Sequence, residues 1–176
     1  MRFRYFYICL ALLVMLMACK EPGSGTRGGY SPPIGKHMRI VDFKLPSLTD
    51  NTQFDSRQLK DQVLLVTFFA TWCPPCIQEI PTLIALQDSY REKGFSVVAF
   101  SVDEGSPEPL LNLIEKYGIN YPVIVADNDV AKGFGGVTGI PVTFLVNRKG
   151  EIVKKYLGYV GHDALEEEIR KLLAAG

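Results

Sequence analysis

Cys73 and Cys76 stand two residues apart in Trp72-Cys73-Pro74-Pro75-Cys76, directly after the apolar run from Val63 to Phe69. Two cysteines at this spacing close a small disulfide without disturbing the backbone around them. They reopen it when one sulfur is accessible and rich in thiolate. A strand ending at Trp72 and a helix beginning at Cys73 supply those conditions. The helix N-terminus offers unpaired N–H groups and a positive partial charge to the first sulfur, and the second sulfur lies one turn deeper, shielded. Pro74 and Pro75 are tolerated there, because the first helical N–H groups have no intrahelical partner. The chemistry this segment can do is reversible dithiol/disulfide exchange.

Two plainer uses of the pair compete. Zinc requires about four ligands, and only Cys9, Cys19, His37 and His162 remain, none at finger-like spacing to the pair. No metal site is therefore expected. A permanent structural disulfide would close so short a loop that it would restrict the unfolded chain little. No cofactor motif is present, and none is expected.

The elements that must position the pair follow from periodicity. Val63 to Phe69 is apolar almost throughout, as suits a central strand covered on both faces. A helix from Pro74 to about Lys93 turns Ile77, Ile80, Leu83, Ile84 and Tyr90 toward the core, and Gly94 ends it. Phe95 to Val102 reads as a second buried strand, parallel to the first through a right-handed crossover. Ahead of them, Phe43-Lys44-Leu45 and Gln53-Phe54 form a strand, turn and return. A helix (Glu108 to Tyr117), a strand (Tyr121 to Val125) and a short helix (Asp129 to Phe134) come next. Val142 to Val146 and Glu151 to Leu157 flank Asn147-Arg148-Lys149-Gly150, a hairpin signal with glycine where a positive φ is needed. The last helix, Asp163 to Ala174, carries acids early and bases late, complementing its dipole. The sum is an α/β fold with a mixed central sheet flanked by helices.

The N-terminus sets the compartment. Arg2 and Arg4 precede an apolar stretch, Tyr5 to Ala18, shorter than the roughly 18–20 residues of a spanning helix. Residues 1–18 read as a secretory signal peptide. Leu16-Met17-Ala18-Cys19 resembles the bacterial lipoprotein signal, in which the cysteine is acylated and becomes the new N-terminus; a plain signal peptide or an uncleaved anchor with an incidental cysteine is the alternative. Cys9 leaves with the peptide, so with Cys19 lipidated the mature chain keeps only Cys73 and Cys76 as thiols, which suits an exported protein. Residues 19–37, rich in Gly and Pro, cannot bury enough surface to fold and read as a tether, with a root-mean-square span on the order of 20–25 Å. Residues 38–176 are enough for one domain. The 19 basic and 19 acidic residues balance, and the scattered basic ones exclude a nucleic-acid partner.

Phe69-Ala70-Thr71-Trp72-Cys73-Pro74-Pro75-Cys76 is similar to the active-site signature of the thioredoxin superfamily, and within it of the membrane-bound TlpA/ResA-like thiol–disulfide oxidoreductases. The resemblance covers residues 38–176. Pro81 falls where the family kinks its active-site helix. Gly139-Ile140-Pro141 matches the loop carrying the family's cis-proline, which would leave the backbone of Ile140 free beside Cys73 to pair with a substrate. Residues between Val102 and Gly136 resemble the subgroup's central strand–helix insertion, and the N-terminal strand pair is likewise an addition to the basic fold. Thr67 stands where thioredoxins proper place a buried Asp, so the proton acceptor must come from elsewhere or be absent. Glu79 matches an acidic position of the subgroup and is the candidate proton carrier, against the plainer reading of a solvated helix residue. Trp72 would cover the sulfur from water, and His37 and His162 read as surface residues, His162 as a cap on the last helix.

The resemblance implies that Cys73 is the nucleophile and Cys76 the resolving thiol. It implies protein disulfides as substrates, with apocytochrome c as one, and a membrane thiol–disulfide electron donor that restores the dithiol. Two other functions use related parts. A peroxiredoxin-like peroxidase would embed its nucleophile in Thr-x-x-Cys. A copper chaperone would bind Cu(I) through thiolates, with a three-residue gap and a distant His.

Overall fold

The computed structural model describes residues 38–40 and 42–175. The expected signal peptide, Cys19, the tether and His37 lie outside those residues. No helix among the described residues is long and apolar enough to cross a membrane.

Five strands form the central sheet in the order β5-β4-β3-β6-β7. They are β3 (Val63–Phe69), β4 (Phe95–Ser101), β5 (Val123–Val125), β6 (Val142–Val146) and β7 (Ile152–Leu157). β5, β4 and β3 are parallel, whereas β6 and β7 run antiparallel to their neighbours. A separate antiparallel pair, β1 (Lys44–Pro46) and β2 (Gln53–Asp55), pairs Leu45 with Phe54. Its loop is tied to the sheet at β5: the Thr49 hydroxyl donates to the Tyr121 carbonyl at 2.8 Å and accepts from the Val123 N–H at 3.1 Å. The helices are α1 (Pro74–Tyr90), α2 (Glu108–Tyr117), α3 (Asn128–Gly133) and α4 (His162–Ala174).

β3 shows why its sequence is apolar at every position but Thr67. Side chains alternate across a strand, and here both faces are covered. Val63, Leu65 and Phe69 enter a core with Leu83, Leu86, Leu165 and Ile169 of α1 and α4. Leu64, Val66 and Phe68 enter a second core with Phe100, Phe134 and Phe144. The second core is aromatic: Phe68 lies 5.2 Å from Phe100 and 5.4 Å from Phe134 between ring centroids. Edge-to-face and offset pairs of this kind add about 0.5–1.5 kcal/mol beyond their burial.

α1 departs from its expected extent and face. It ends at Tyr90, followed by one 3-10 turn (Arg91–Lys93), and Gly94 closes it with a φ of +83°. Its buried face comprises Cys76, Glu79, Ile80, Leu83, Leu86, Gln87 and Tyr90; Ile77 and Ile84 are only partly buried. The helix is thus rotated so that Glu79 points inward. His162 is the first helical residue of α4, with Gly161 as the cap, so it does not cap the helix by its side chain. The β6–β7 hairpin turns as expected through Gly150, whose φ is +76°.

Candidate active site

β3 and β4 end side by side, with the Val102 N–H donating to the Phe69 carbonyl at 2.9 Å. The crevice beyond the carboxyl ends of parallel strands is where α/β folds place their chemistry. From β3 the chain turns once, the Cys73 N–H donating back to the Ala70 carbonyl at 3.2 Å. Thr71 and Trp72 occupy the middle of that turn. Cys73 follows as N-cap of α1, in extended conformation, with Pro74 and Pro75 opening the helix.

Cys73 and Cys76 are joined in a disulfide, with an S–S distance of 2.04 Å. Cys73 is 4 % exposed and Cys76 is equally buried. The first sulfur is therefore more sheltered than the sequence suggested: in the oxidised state the pair belongs to the core packed against α1. Trp72, by contrast, is 69 % exposed and stands over the site as its most prominent apolar surface. Next to it runs a groove of about 420 Å³, lined by Trp72, Asp103, Ala126, Val137, Thr138 and Ile140. The Ile140–Pro141 bond is cis, and Pro141 leads directly into β6, whose partner β3 leads to Cys73.

Glu79 lies one helical turn beyond Cys76 on the same buried face, and it is 1 % exposed. The solvated reading of this residue is wrong for this helix. Its Oε1 accepts one hydrogen bond, from the Val160 N–H at 2.6 Å. Burial pushes its carboxyl up to about 7, the Val160 N–H pulling the other way. A buried acid with one partner favours its neutral form, and one titrating near neutrality can both give and take a proton. Tyr121 is buried nearby; burial, and secondarily the charge on Glu79, hold its phenol well above its usual range.

Thr67, at the thioredoxin Asp position, faces Thr143 across the β3–β6 ladder. The Thr143 hydroxyl donates to the Thr67 hydroxyl at 3.2 Å, both side chains being buried. That position holds a satisfied neutral pair. The buried carboxyl on the disulfide's own helix is Glu79 instead.

The structure brings Trp72, Cys73, Pro74, Pro75 and Cys76 together at one end of the sheet, with Ile140 on the groove beside Trp72. It also shows residues the sequence did not single out. Asp103, two residues beyond β4, accepts from the Thr71 N–H and hydroxyl and from the Ser101 hydroxyl. Val160, just past β7, supplies the Glu79 hydrogen bond. Both are contacts between segments far apart in the chain.

The profile of the Redoxin family matches residues 35–173. The chain is 37 % identical over 135 residues to the thiol:disulfide interchange protein DsbE of Allochromatium vinosum, covering 76 % of this chain and 72 % of that protein. It is 28 % identical over 166 residues to the thiol-disulfide oxidoreductase ResA of Bacillus cereus, covering 92 % and 94 %. Among solved structures, a thioredoxin-family thiol:disulfide interchange protein from Chlorobium tepidum superposes with a TM-score of 0.73 at 29 % identity, covering 80 % of this chain and 99 % of that one. A matched profile spanning nearly the whole described domain, with the dithiol signature at its centre, places the chain in the Redoxin family as a ResA/DsbE-like thiol–disulfide oxidoreductase of the thioredoxin superfamily.

Proposed function

We propose that this oxidoreductase works as a reductant of disulfides in exported proteins, with Cys73 as nucleophile and Cys76 as resolving thiol. The observation that carries the reading is the placement of the pair at the N-cap and third position of α1, with prolines between. A helix N-terminus stabilises a thiolate through its free N–H groups and its dipole. Pro74 and Pro75 have no N–H to give, which leaves the Cys76 N–H and the dipole. Strong thiolate stabilisation makes an oxidant, as in DsbA with a cysteine pKa of about 3.5. Thioredoxin, near 7, lies roughly 150 mV lower, equivalent to about 7 kcal/mol. With two donors missing, Cys73 belongs near the thioredoxin end.

In the forward reaction the Cys73 thiolate attacks one sulfur of a substrate disulfide, and the other substrate sulfur leaves as a thiolate. Cys76 then attacks Cys73, passing its proton to the Glu79 carboxylate. The Cys73–Cys76 bond closes and the substrate departs with both sulfurs reduced. A membrane thiol donor returns the two electrons. Trp72 and the backbone of Ile140 receive the substrate chain along the groove, with Pro141 fixing that loop. Acylation at Cys19 and the tether that follows keep the domain on the extracytoplasmic face of a bacterial membrane. The likeness to ResA and DsbE thiol–disulfide oxidoreductases supports disulfides of exported proteins as substrates; cytochrome c maturation is one setting consistent with it, and apocytochrome c one candidate substrate.

Equilibrating the purified protein against glutathione and dithiothreitol buffers tests the direction. The expected potential lies near the thioredoxin value of about −270 mV; one near the DsbA value of about −120 mV would make the domain an oxidase.

A further inference from the structure

The turn that delivers Trp72 and Cys73 to the site is held from the side by one carboxylate. Asp103 Oδ2 accepts from the Thr71 N–H at 2.9 Å, and Oδ1 accepts from the Thr71 hydroxyl at 2.6 Å. The Ser101 hydroxyl donates to Oδ2 at 2.7 Å, while Ser101 Oγ accepts from the Asp103 N–H at 2.9 Å. Ser101 is fully buried at the end of β4, so the carboxylate is fixed to the sheet on one side and to the turn on the other. Hydrogen bonds to a charged acceptor are the stronger class, and three donors converge on this one. Nothing else in the turn is as firmly tied: its own closing bond, Cys73 N–H to Ala70 carbonyl, is a long 3.2 Å.

We propose that Asp103 is a positioning residue for disulfide exchange, clamping Thr71 so that Trp72 and the Cys73 sulfur keep their orientation when the disulfide opens. In the oxidised protein the Cys73–Cys76 bond itself staples Cys73 to the first turn of α1. Reduction removes that cross-link; Pro74 and Pro75 have no N–H to give, and what then holds the Cys73 backbone is the Ile77 N–H donating to its carbonyl at 3.1 Å and its own N–H donating to Ala70 at 3.2 Å. The Asp103 clamp is then the shortest and the one charge-assisted restraint on Thr71 and Trp72 among these bonds. Its importance is greater in the reduced state, the state that attacks substrate. A misplacement of about 1 Å at a reacting atom costs about a hundredfold in rate, so a loosened turn is felt directly in the exchange step. Asp103 also faces the groove beside Trp72, which couples the same restraint to the surface a substrate meets.

Trp72 is the single tryptophan of the chain, so its fluorescence anisotropy reports on this turn without labelling. The test compares the full chain with Asp103→Ala, Asp103→Asn and Thr71→Val, each oxidised and reduced. In Asp103→Ala the anisotropy should fall in the reduced state and stay near wild type in the oxidised state, and kcat/KM for disulfide reduction should fall about tenfold or more. Asp103→Asn, which keeps one acceptor, should recover part of both. A merely structural role would lower thermal stability alike in both redox states and leave reduced-state anisotropy and kcat/KM alone; a folded Asp103→Ala protein behaving that way overturns the proposal. Thr71→Val removes only the hydroxyl donor and decides the matter if Asp103→Ala does not fold: wild-type anisotropy and kcat/KM in that variant overturn the clamp. The kinetic arm rests on the reductase reading, whereas the anisotropy arm does not, so a protein inactive on disulfides but loosened by Asp103→Ala would refute the former alone.

Discussion

Replacing Glu79 with Gln should stabilise the oxidised domain at alkaline pH and leave it unchanged in acid. The carboxyl is lifted from its ordinary 4.5 to about 7, chiefly by burial. Between those two values the folded protein keeps a proton that the unfolded chain has released, so stability falls as pH rises. Below 4.5 both states are protonated and Glu79 carries no penalty. Above 7 the folded state holds a buried carboxylate with one hydrogen bond, and the penalty is complete. At about 1.4 kcal/mol for each pH unit, the interval corresponds to about 3 kcal/mol. Gln keeps an oxygen to accept the Val160 N–H and never ionises. Urea unfolding of both proteins from pH 4 to pH 8.5 should give curves that coincide at the acid end and separate by about 3 kcal/mol in favour of Gln at the alkaline end. Parallel curves between pH 5 and pH 7.5 would refute the argument that this group is buried and titrates near neutrality. Turnover should move oppositely: Gln cannot take the Cys76 proton, so the resolving step should slow by about a hundredfold or more and its pH limb near 7 should vanish.

Cys73→Ser should abolish exchange, whereas Cys76→Ser should accumulate mixed disulfides through Cys73; limiting alkylation of the reduced protein that labels Cys76 first would reverse the assignment. Cys19→Ala should release the protein from membranes or leave an unprocessed precursor, and mass spectrometry of a mature N-terminus elsewhere without acyl chains would contradict lipidation. Thr67→Val should cost about 1–3 kcal/mol by orphaning the buried Thr143 hydroxyl, while the double change to Val at both positions should recover most of it; thermal unfolding of the three variants checks this, and additive losses would show that the hydroxyls do not act as a pair.

Much of this architecture is legible because its signals are local. β3 and β6 occupy the expected residues, since buried strands read as nearly continuous apolar runs, each here interrupted by a single Thr, and α2 ends as expected at Tyr117, before Gly118 in the left-handed conformation. The redox pair is legible for the same reason: a two-residue gap at a helix start is a short-range fact. Glu79 was the harder case. The expected stripe of Ile77, Ile80, Leu83, Ile84 and Tyr90 leaves Glu79 outside, yet the buried face keeps Ile80, Leu83 and Tyr90 and adds Cys76, Glu79, Leu86 and Gln87 in place of the half-buried Ile77 and Ile84. Asp103 left no trace, as its partner Thr71 is 32 residues away and only the parallel alignment of β3 with β4 brings them together.

The pairing of Met38 and Ile40 with the β6–β7 hairpin has a consequence for how the molecule meets a disulfide substrate. Met38 and Ile40 hydrogen-bond to Ile152 and Gly150, at the hairpin joining β6 to β7. That hairpin lies beside the start of β3, because Leu64 pairs with Val146. The seven residues of β3 then carry the chain about 20 Å before it turns toward Cys73. The Met38 edge and the Cys73–Cys76 disulfide thus lie at opposite ends of β3, and a substrate that reaches the sulfurs meets the domain at the end away from Met38.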